Sequence, residues 1–163
     1  MKSMTRHGSH GTVTFDPGWK ALLEIAAIEV FEMMAGVRLE VNPTLTEEKG
    51  EHTAMVGMAG ALCGMTTVRC SRQASAKFAS LMLGGDSASN PATSKDALGE
   101  LCNMVAGNFK GKVSTLADQC MLSVPTVITG EDYSLSPVDP AEGVTVALIY
   151  DGEPIWISLI MHS

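Results

Sequence analysis

An α+β fold is predicted, with long helices packed on one antiparallel sheet, and three observations predict it. Two long segments, Pro17 to Val37 and Ser94 to Asp118, repeat apolar residues at helical spacing. The remaining apolar segments are short, alternating or β-branched, and they come in runs of strands instead of singly between helices. The two long helices also match each other, which points to a duplicated unit. Helix, strands, two helices, then strands suits a two-layer α+β arrangement better than a βαβ design.

At 163 residues the chain has room for one domain with a proper core. The domain is expected over residues 15–163. An apolar fraction of 45% with 18% charged residues is that of a folding chain, well away from disordered compositions. Met1 to Thr14 mixes Ser, Thr, Gly, His and basic residues without periodicity and reads as a flexible tail. His7 and His10 within it carry no further assignment.

Order begins at Asp16-Pro17, a capping residue followed by proline at the first helical position. Trp19, Leu22, Leu23, Ala26, Val30, Met33 and Met34 then recur at helical spacing, which packs the first helix on a core. Leu39 to Leu45, Glu51 to Ala59 and Leu62 to Cys70 read as three antiparallel strands separated by Asn-Pro and Gly signals. Ser71 caps a second helix through Leu83, ended by Gly84-Gly85. A polar loop, Asp86 to Thr93, leads to the third helix. Met121 to Ile128, Thr145 to Tyr150 and Ile155 to Met161 follow as strands, the last two joined by the hairpin signal Asp151-Gly152.

A net charge of −7 without a Lys/Arg cluster argues against nucleic acid or an anionic membrane as partner, since both require a positive surface. No apolar run reaches the ~20 residues of a membrane span. Cys63, Cys70, Cys102 and Cys120 fit no zinc spacing, and no signal peptide is evident, so free thiols in a cytoplasmic protein are expected. No bound metal is expected either: Asp96 and Glu100 form an i,i+4 carboxylate pair, but no histidine stands at ligand spacing in either long helix.

The repeat aligns Glu29-Val30-Phe31-Glu32-Met33-Met34-Ala35-Gly36 with Glu100-Leu101-Cys102-Asn103-Met104-Val105-Ala106-Gly107, and four of eight positions are identical. Where the first copy has Glu32, the second has Asn103. On the third helix Asp96, Glu100, Asn103, Gly107 and Lys110 follow the i, i+4, i+7, i+11, i+14 row and so form one narrow stripe. Leu98, Leu101, Cys102, Met104, Val105 and Phe109 cover the other sides and turn toward the core. A mid-helix asparagine is a mild local misfit. Its amide offers both donor and acceptor and can orient a water without taking up its proton. A carboxylate one turn earlier can pair with a partner's lysine.

At these residues the chain resembles the CheC/CheX family of chemotaxis phosphatases, whose signature is Asp or Ser, three residues, Glu, two residues, Asn. Here it reads Asp96-Ala97-Leu98-Gly99-Glu100-Leu101-Cys102-Asn103, continued by Met104 to Asn108. Leu122-Ser123-Val124-Pro125-Thr126-Val127-Ile128-Thr129-Gly130 is similar to the strand that follows this helix in CheX proteins, and the layout agrees over about Pro17 to Met161. With Glu32 in place of the first-copy asparagine, the chain is most similar to CheX, with one active site.

The resemblance implies that the duplicated unit is an internal pseudo-two-fold repeat, and it implies hydrolysis of phosphoaspartate on a CheY-like receiver domain. It implies Asn103 orienting the attacking water and Glu100 contacting the receiver's lysine. Asp96 and Lys110 are expected to serve docking. No cofactor of its own is implied, Mg2+ being supplied by the receiver, and dimers joined through their sheets are. The competing reading is a non-catalytic adaptor of the same fold that binds a receiver or flagellar-switch partner. Asn103 separates the two, because a scaffold has no chemical need for an amide there. A third reading, a generic ligand-binding α+β domain, would need an apolar pocket.

Overall fold

The computed structural model describes residues 14–45, 48–84, 90–130 and 141–162. Residues 1–13 of the stretch read as a tail, Gly85, and positions 86–89 of the expected loop lie outside them. Among the described residues three helices, α1 (Trp19–Ala35), α2 (Arg72–Leu83) and α3 (Pro91–Lys112), accompany seven strands. The strands are β1 (Glu40–Val41), β2 (His52–Gly60), β3 (Gly64–Cys70), β4 (Cys120–Leu122), β5 (Thr126–Thr129), β6 (Ala141–Tyr150) and β7 (Glu153–His162).

All seven strands form one antiparallel sheet in the order β1-β6-β7-β3-β2-β4, with β5 beside β4 on the same edge of β2. This order reads the same from both ends once α1-β1-β2-β3 is matched to α3-β4/β5-β6-β7. The first strand of each half crosses to the outer edge of the other half, and β3 and β7 meet at the centre. The duplication read from the two helices is therefore present in the strand order. Helix α2 joins the halves and has no counterpart among the described residues.

The helices cover one sheet face. Ala54, Val56, Met58, Val68, Cys70, Val146, Leu148, Ile155, Ile157 and Leu159 of that face are buried under them. Helix α3 is central, packing on α1, α2 and β2. The Cys102 thiol lies 3.5 Å from the carbonyl oxygens of Ala54 and Thr66, so α3 rests directly on the β2–β3 pair. Edge-to-face ring pairs lock the layer: Trp19 with Phe109 at 5.9 Å and Phe31 with Phe78 at 5.0 Å between centroids.

Several boundaries differ from expectation for local reasons. Helix α3 begins at Pro91, not Ser94: Asn90 caps it, its side chain accepting from the Ala92 N–H at 3.0 Å, while Ser94 is buried inside the helix. An Asn-Pro pair that could pass for loop is thus a helix start. The same helix stops at Lys112 instead of running to Asp118. Val113 and Leu116 keep the apolar pattern going, but they are buried from a tight turn. Helix α1 starts at Trp19, after a turn in which Asp16 accepts from the Gly18 N–H at 2.8 Å, and it ends at Gly36 with φ +67°. The strand expected over Leu39 to Leu45 shrinks to two residues. The hairpin at Asp151-Gly152 forms as read, both residues holding the positive φ that its tight turn requires.

The strand expected over Met121 to Ile128 is in fact two. Strand β4 pairs Leu122 with Met58, and the Ser123 N–H donates to the Gly57 carbonyl at 2.9 Å. Strand β5 resumes one step out of register, with Thr126 opposite Met55. Val124 and Pro125 together therefore face the single residue Val56, which is a β-bulge. Proline fits there because a bulge position owes no N–H to the ladder.

Candidate active site on the third helix

Asp96, Glu100 and Asn103 lie on one side of α3, as their spacing requires. The two carboxylates are exposed and Asn103 is half-buried. Lys110 shares the row but stands seven residues beyond Asn103, about 10 Å along the axis at 1.5 Å per residue. It belongs to the last helical turn, near Cys120, whose thiol burial pushes up and the lysine charge offsets only in part. The structure thus brings three of the four expected site residues together and leaves Lys110 at the far end.

What flanks Asn103 was not evident from the stripe. Gly99 is buried in mid-helix, and a β-carbon placed on it would touch Pro125 and Val127 at 3.5 Å. One placed on Gly107 would reach Leu122 at 3.9 Å. Asn103 falls midway between these two glycines, so the residues across from it are those midway between Pro125 and Leu122, namely Ser123 and Val124. The bulge therefore lies on the sheet edge that runs past the amide, between the strand residues that meet Gly99 and Gly107. Ser123 turns its side chain to the sheet face away from the helices, where its hydroxyl oxygen accepts from the Gly57 N–H at 2.8 Å. Val124 is left 83% exposed. The signal for this bulged edge was Pro125, an ill fit inside a continuous strand.

Among the described residues, no side-chain hydrogen bond or ion pair engages Asp96, Glu100 or Asn103. Their repeat mates fare differently. Glu29, the counterpart of Glu100, is held by Lys112 at 2.8 Å and accepts from the Asn108 amide at 3.3 Å. The Lys112 ammonium, followed by the Asn108 amide, holds its carboxyl below the usual range. Glu32 occupies the place of Asn103, and Ile25 that of Asp96. The first copy is therefore a tied glutamate without an amide, whereas the second is a free acid–amide pair.

Elsewhere a cleft of about 820 Å3 opens at the amino ends of α2 and α3, lined in part by Glu51, His52, Arg72, Lys95 and Glu153. Two of its donors are already taken by the chain's own carboxylates. Glu51 accepts from the Arg72 N–H, and Glu153 accepts from the Ser71 hydroxyl at 2.9 Å. Among the described residues no group of three or more His, Cys, Asp or Glu side chains could hold a metal ion, and no helix is long and apolar enough to cross a membrane.

The sheet order and helix layer are those of the CheC-like class, and the fold is shared with a CheC-like superfamily protein from Shewanella sp. PV-4. That likeness has 18% identity and a TM-score of 0.76 over 91% of this chain and all of the other. The chain belongs to the CheX family: the family model described as chemotaxis phosphatase CheX matches residues 52–148, more than half of the sequence. CheX from Vibrio vulnificus has the same fold, with a TM-score of 0.79 at 16% identity, covering 92% of this chain and 100% of that one. So does Borrelia burgdorferi CheX, solved in complex with CheY, BeF3 and Mg2+, with a TM-score of 0.70 at 22% identity over 89% and 98%. No curated protein matches the chain.

Proposed function

We propose that this chain accelerates hydrolysis of the phosphoaspartate of a CheY-like receiver domain, with Asn103 orienting the attacking water and Glu100 engaging the receiver's lysine. The observation that carries the reading is the uncommitted Glu100–Asn103 pair on an outward helix face, beside a copy whose glutamate is tied down. Family membership supports the reaction class, and the Borrelia complex supports the kind of partner. Phosphoryl transfer calls mainly for positioning and for neutralisation of charge. This chain's site holds carboxylates and an amide and no cradle of cations, so the receiver would bring its own Mg2+ and lysine. The amide contributes what remains, a fixed water in line with phosphorus.

Asp96, one turn before Glu100, serves docking at the near end of the stripe, and Lys110 meets the partner only if the contact extends two turns past Asn103. Two chains are expected to pair through their sheets. Met55, Met65, Ile149 and Ile160 lie half-buried on the face away from the helices and suit such pairing. Sedimentation of the purified chain tests that part separately. Work in the cytoplasm, where receivers are phosphorylated, belongs to the same proposal.

The deciding experiment is phosphate release from a phosphorylated receiver with excess Mg2+. Asn103→Ala is expected to lower the acceleration by about 100-fold or more while binding persists. Glu100→Ala is expected to weaken both. Equal rates for wild type, Asn103→Ala and receiver alone would leave the adaptor reading in place of the enzymatic one.

A further inference from the structure

The bulge between β4 and β5 leaves a valine exposed, and this has a structural cause. Register on both sides of the bulge is firmly set: Leu122 pairs with Met58 and Thr126 with Met55. The extra residue cannot be absorbed by sliding, because a one-residue slip would turn every side chain of the strand to the opposite face. Gly99 lets Pro125 approach the helix to contact distance, and Ser123 is bonded to Gly57 through both its backbone and its hydroxyl. Both neighbours of Val124 are therefore fixed, and its side chain stands out at 83% exposure on a rigid support. An exposed apolar side chain alone needs no explanation. One held rigidly on the strand that packs on α3 on either side of an uncommitted acid–amide pair is placed to touch whatever docks on that helix.

Resting on the proposed phosphatase reading, we infer that Val124 is a partner-seating residue: it makes an apolar contact with the receiver domain docked on α3 and so sets which receiver is accepted. The polar stripe and the bulge would divide the work. Glu100 and Asn103 address groups that all receivers share for chemistry, and those groups cannot distinguish one receiver from another. An apolar knob beside them meets the receiver's variable surface. Its small, rigid side chain loses little conformational freedom on binding. Val124 is thus a positioning and specificity residue and takes no part in the bond changes.

The test is a KM against kcat comparison on a phosphorylated receiver that the wild-type chain dephosphorylates. Val124→Asp is expected to raise KM about tenfold or more, with kcat within about twofold of wild type, and Val124→Ile to restore the wild-type KM. Asn103→Ala should show the opposite split. Leu81→Asp on α2, another exposed apolar position, should leave KM unchanged. Urea midpoints confirm that each variant folds.

An unchanged KM for Val124→Asp overturns the inference while leaving the phosphatase reading intact, and so does an equal KM increase in Leu81→Asp. A wild-type chain that accelerates nothing overturns the phosphatase reading itself. Across a panel of phosphorylated receivers, Val124→Asp is expected to reorder preference, and a uniform loss would refute the specificity role.

Discussion

Replacing Gly99 by alanine probes the spacing that holds the bulge beside Asn103. A β-carbon there would lie 3.5 Å from Pro125 Cβ and from Val127 Cγ2, and 3.6 Å from Pro125 Cγ. These are ordinary van der Waals separations, so alanine fits without moving the strand. In a helix interior, alanine is favoured over glycine by about 1 kcal/mol. The buried methyl adds apolar contact of similar size at most. The expected result is a gain of about 1 kcal/mol in urea unfolding, or about 2–4 °C in Tm for a domain of this size, with phosphatase activity unchanged.

Valine at the same position gives the opposite outcome. Its γ-carbons extend about 1.5 Å further, into space already held by Pro125 and Val127. Overpacking of this kind costs about 1–3 kcal/mol. It should also push the bulge outward, raising KM toward that of the Val124 variants. A destabilised Gly99→Ala, or a Gly99→Val as stable as wild type, would refute the close packing of α3 against the bulge.

Two other expectations concern the interior. His52 is buried, its Nδ1 lies 2.8 Å from the Ser75 hydroxyl, and burial followed by the nearby Arg72 and Lys95 holds its pKa below the ordinary value. The unfolded chain then binds the extra proton, so stability should rise with pH through this window and fall as pH drops below about 6.5; comparing urea midpoints at pH 7.5 and 5.5 should show a smaller drop for His52→Gln than for wild type. Burial pushes the thiols of Cys70 and Cys102 up to about 12, and Cys120 is buried with its thiol raised as well, whereas Cys63 is exposed. One thiol per chain should react quickly with a maleimide under native conditions, and mass spectrometry should place it at Cys63.

Much of this architecture was legible because local signals and tertiary packing agree. The helical period of α1 and α3, the serine cap of α2 and the Asp151-Gly152 turn each state a preference that the fold keeps. The misses lie where a tertiary contact overrides a local pattern. Val113 and Leu116 look helical because they are apolar at the right spacing, yet they reach the core from a turn. The β4–β5 strand looks continuous because Val124 and Pro125 sit between good strand formers. At the site, spacing alone placed Asp96, Glu100 and Asn103 on one stripe, since helix geometry requires no partner. The bulged strand edge beside them depends on the closeness of Gly99 to Pro125, and a single sequence carries no such distance.

The duplicated helices show why a match in sequence is insufficient to make two sites. Ile25, Glu29, Glu32 and Gly36 of α1 stand in register with Asp96, Glu100, Asn103 and Gly107 of α3, and both rows follow the same helical geometry. The contacts then diverge. Helix α3 extends Lys112 and Asn108 to Glu29, which satisfies that carboxylate within the molecule. The reverse contact cannot form, since no residue of α1 supplies a cation to Glu100 among the described contacts. The strands that follow diverge as well: β1, the counterpart of β4 and β5, is two residues long and lacks the bulge. On the proposed reading, a working site on this chain would need an acid with no internal partner, an amide in place of a second acid, and the bulged strand edge beside them. Only the α3 copy combines all three. Restoring an asparagine by Glu32→Asn should for that reason create no second site, which receiver dephosphorylation by Asn103→Ala/Glu32→Asn can check: recovered activity in the double variant would show that the amide alone suffices.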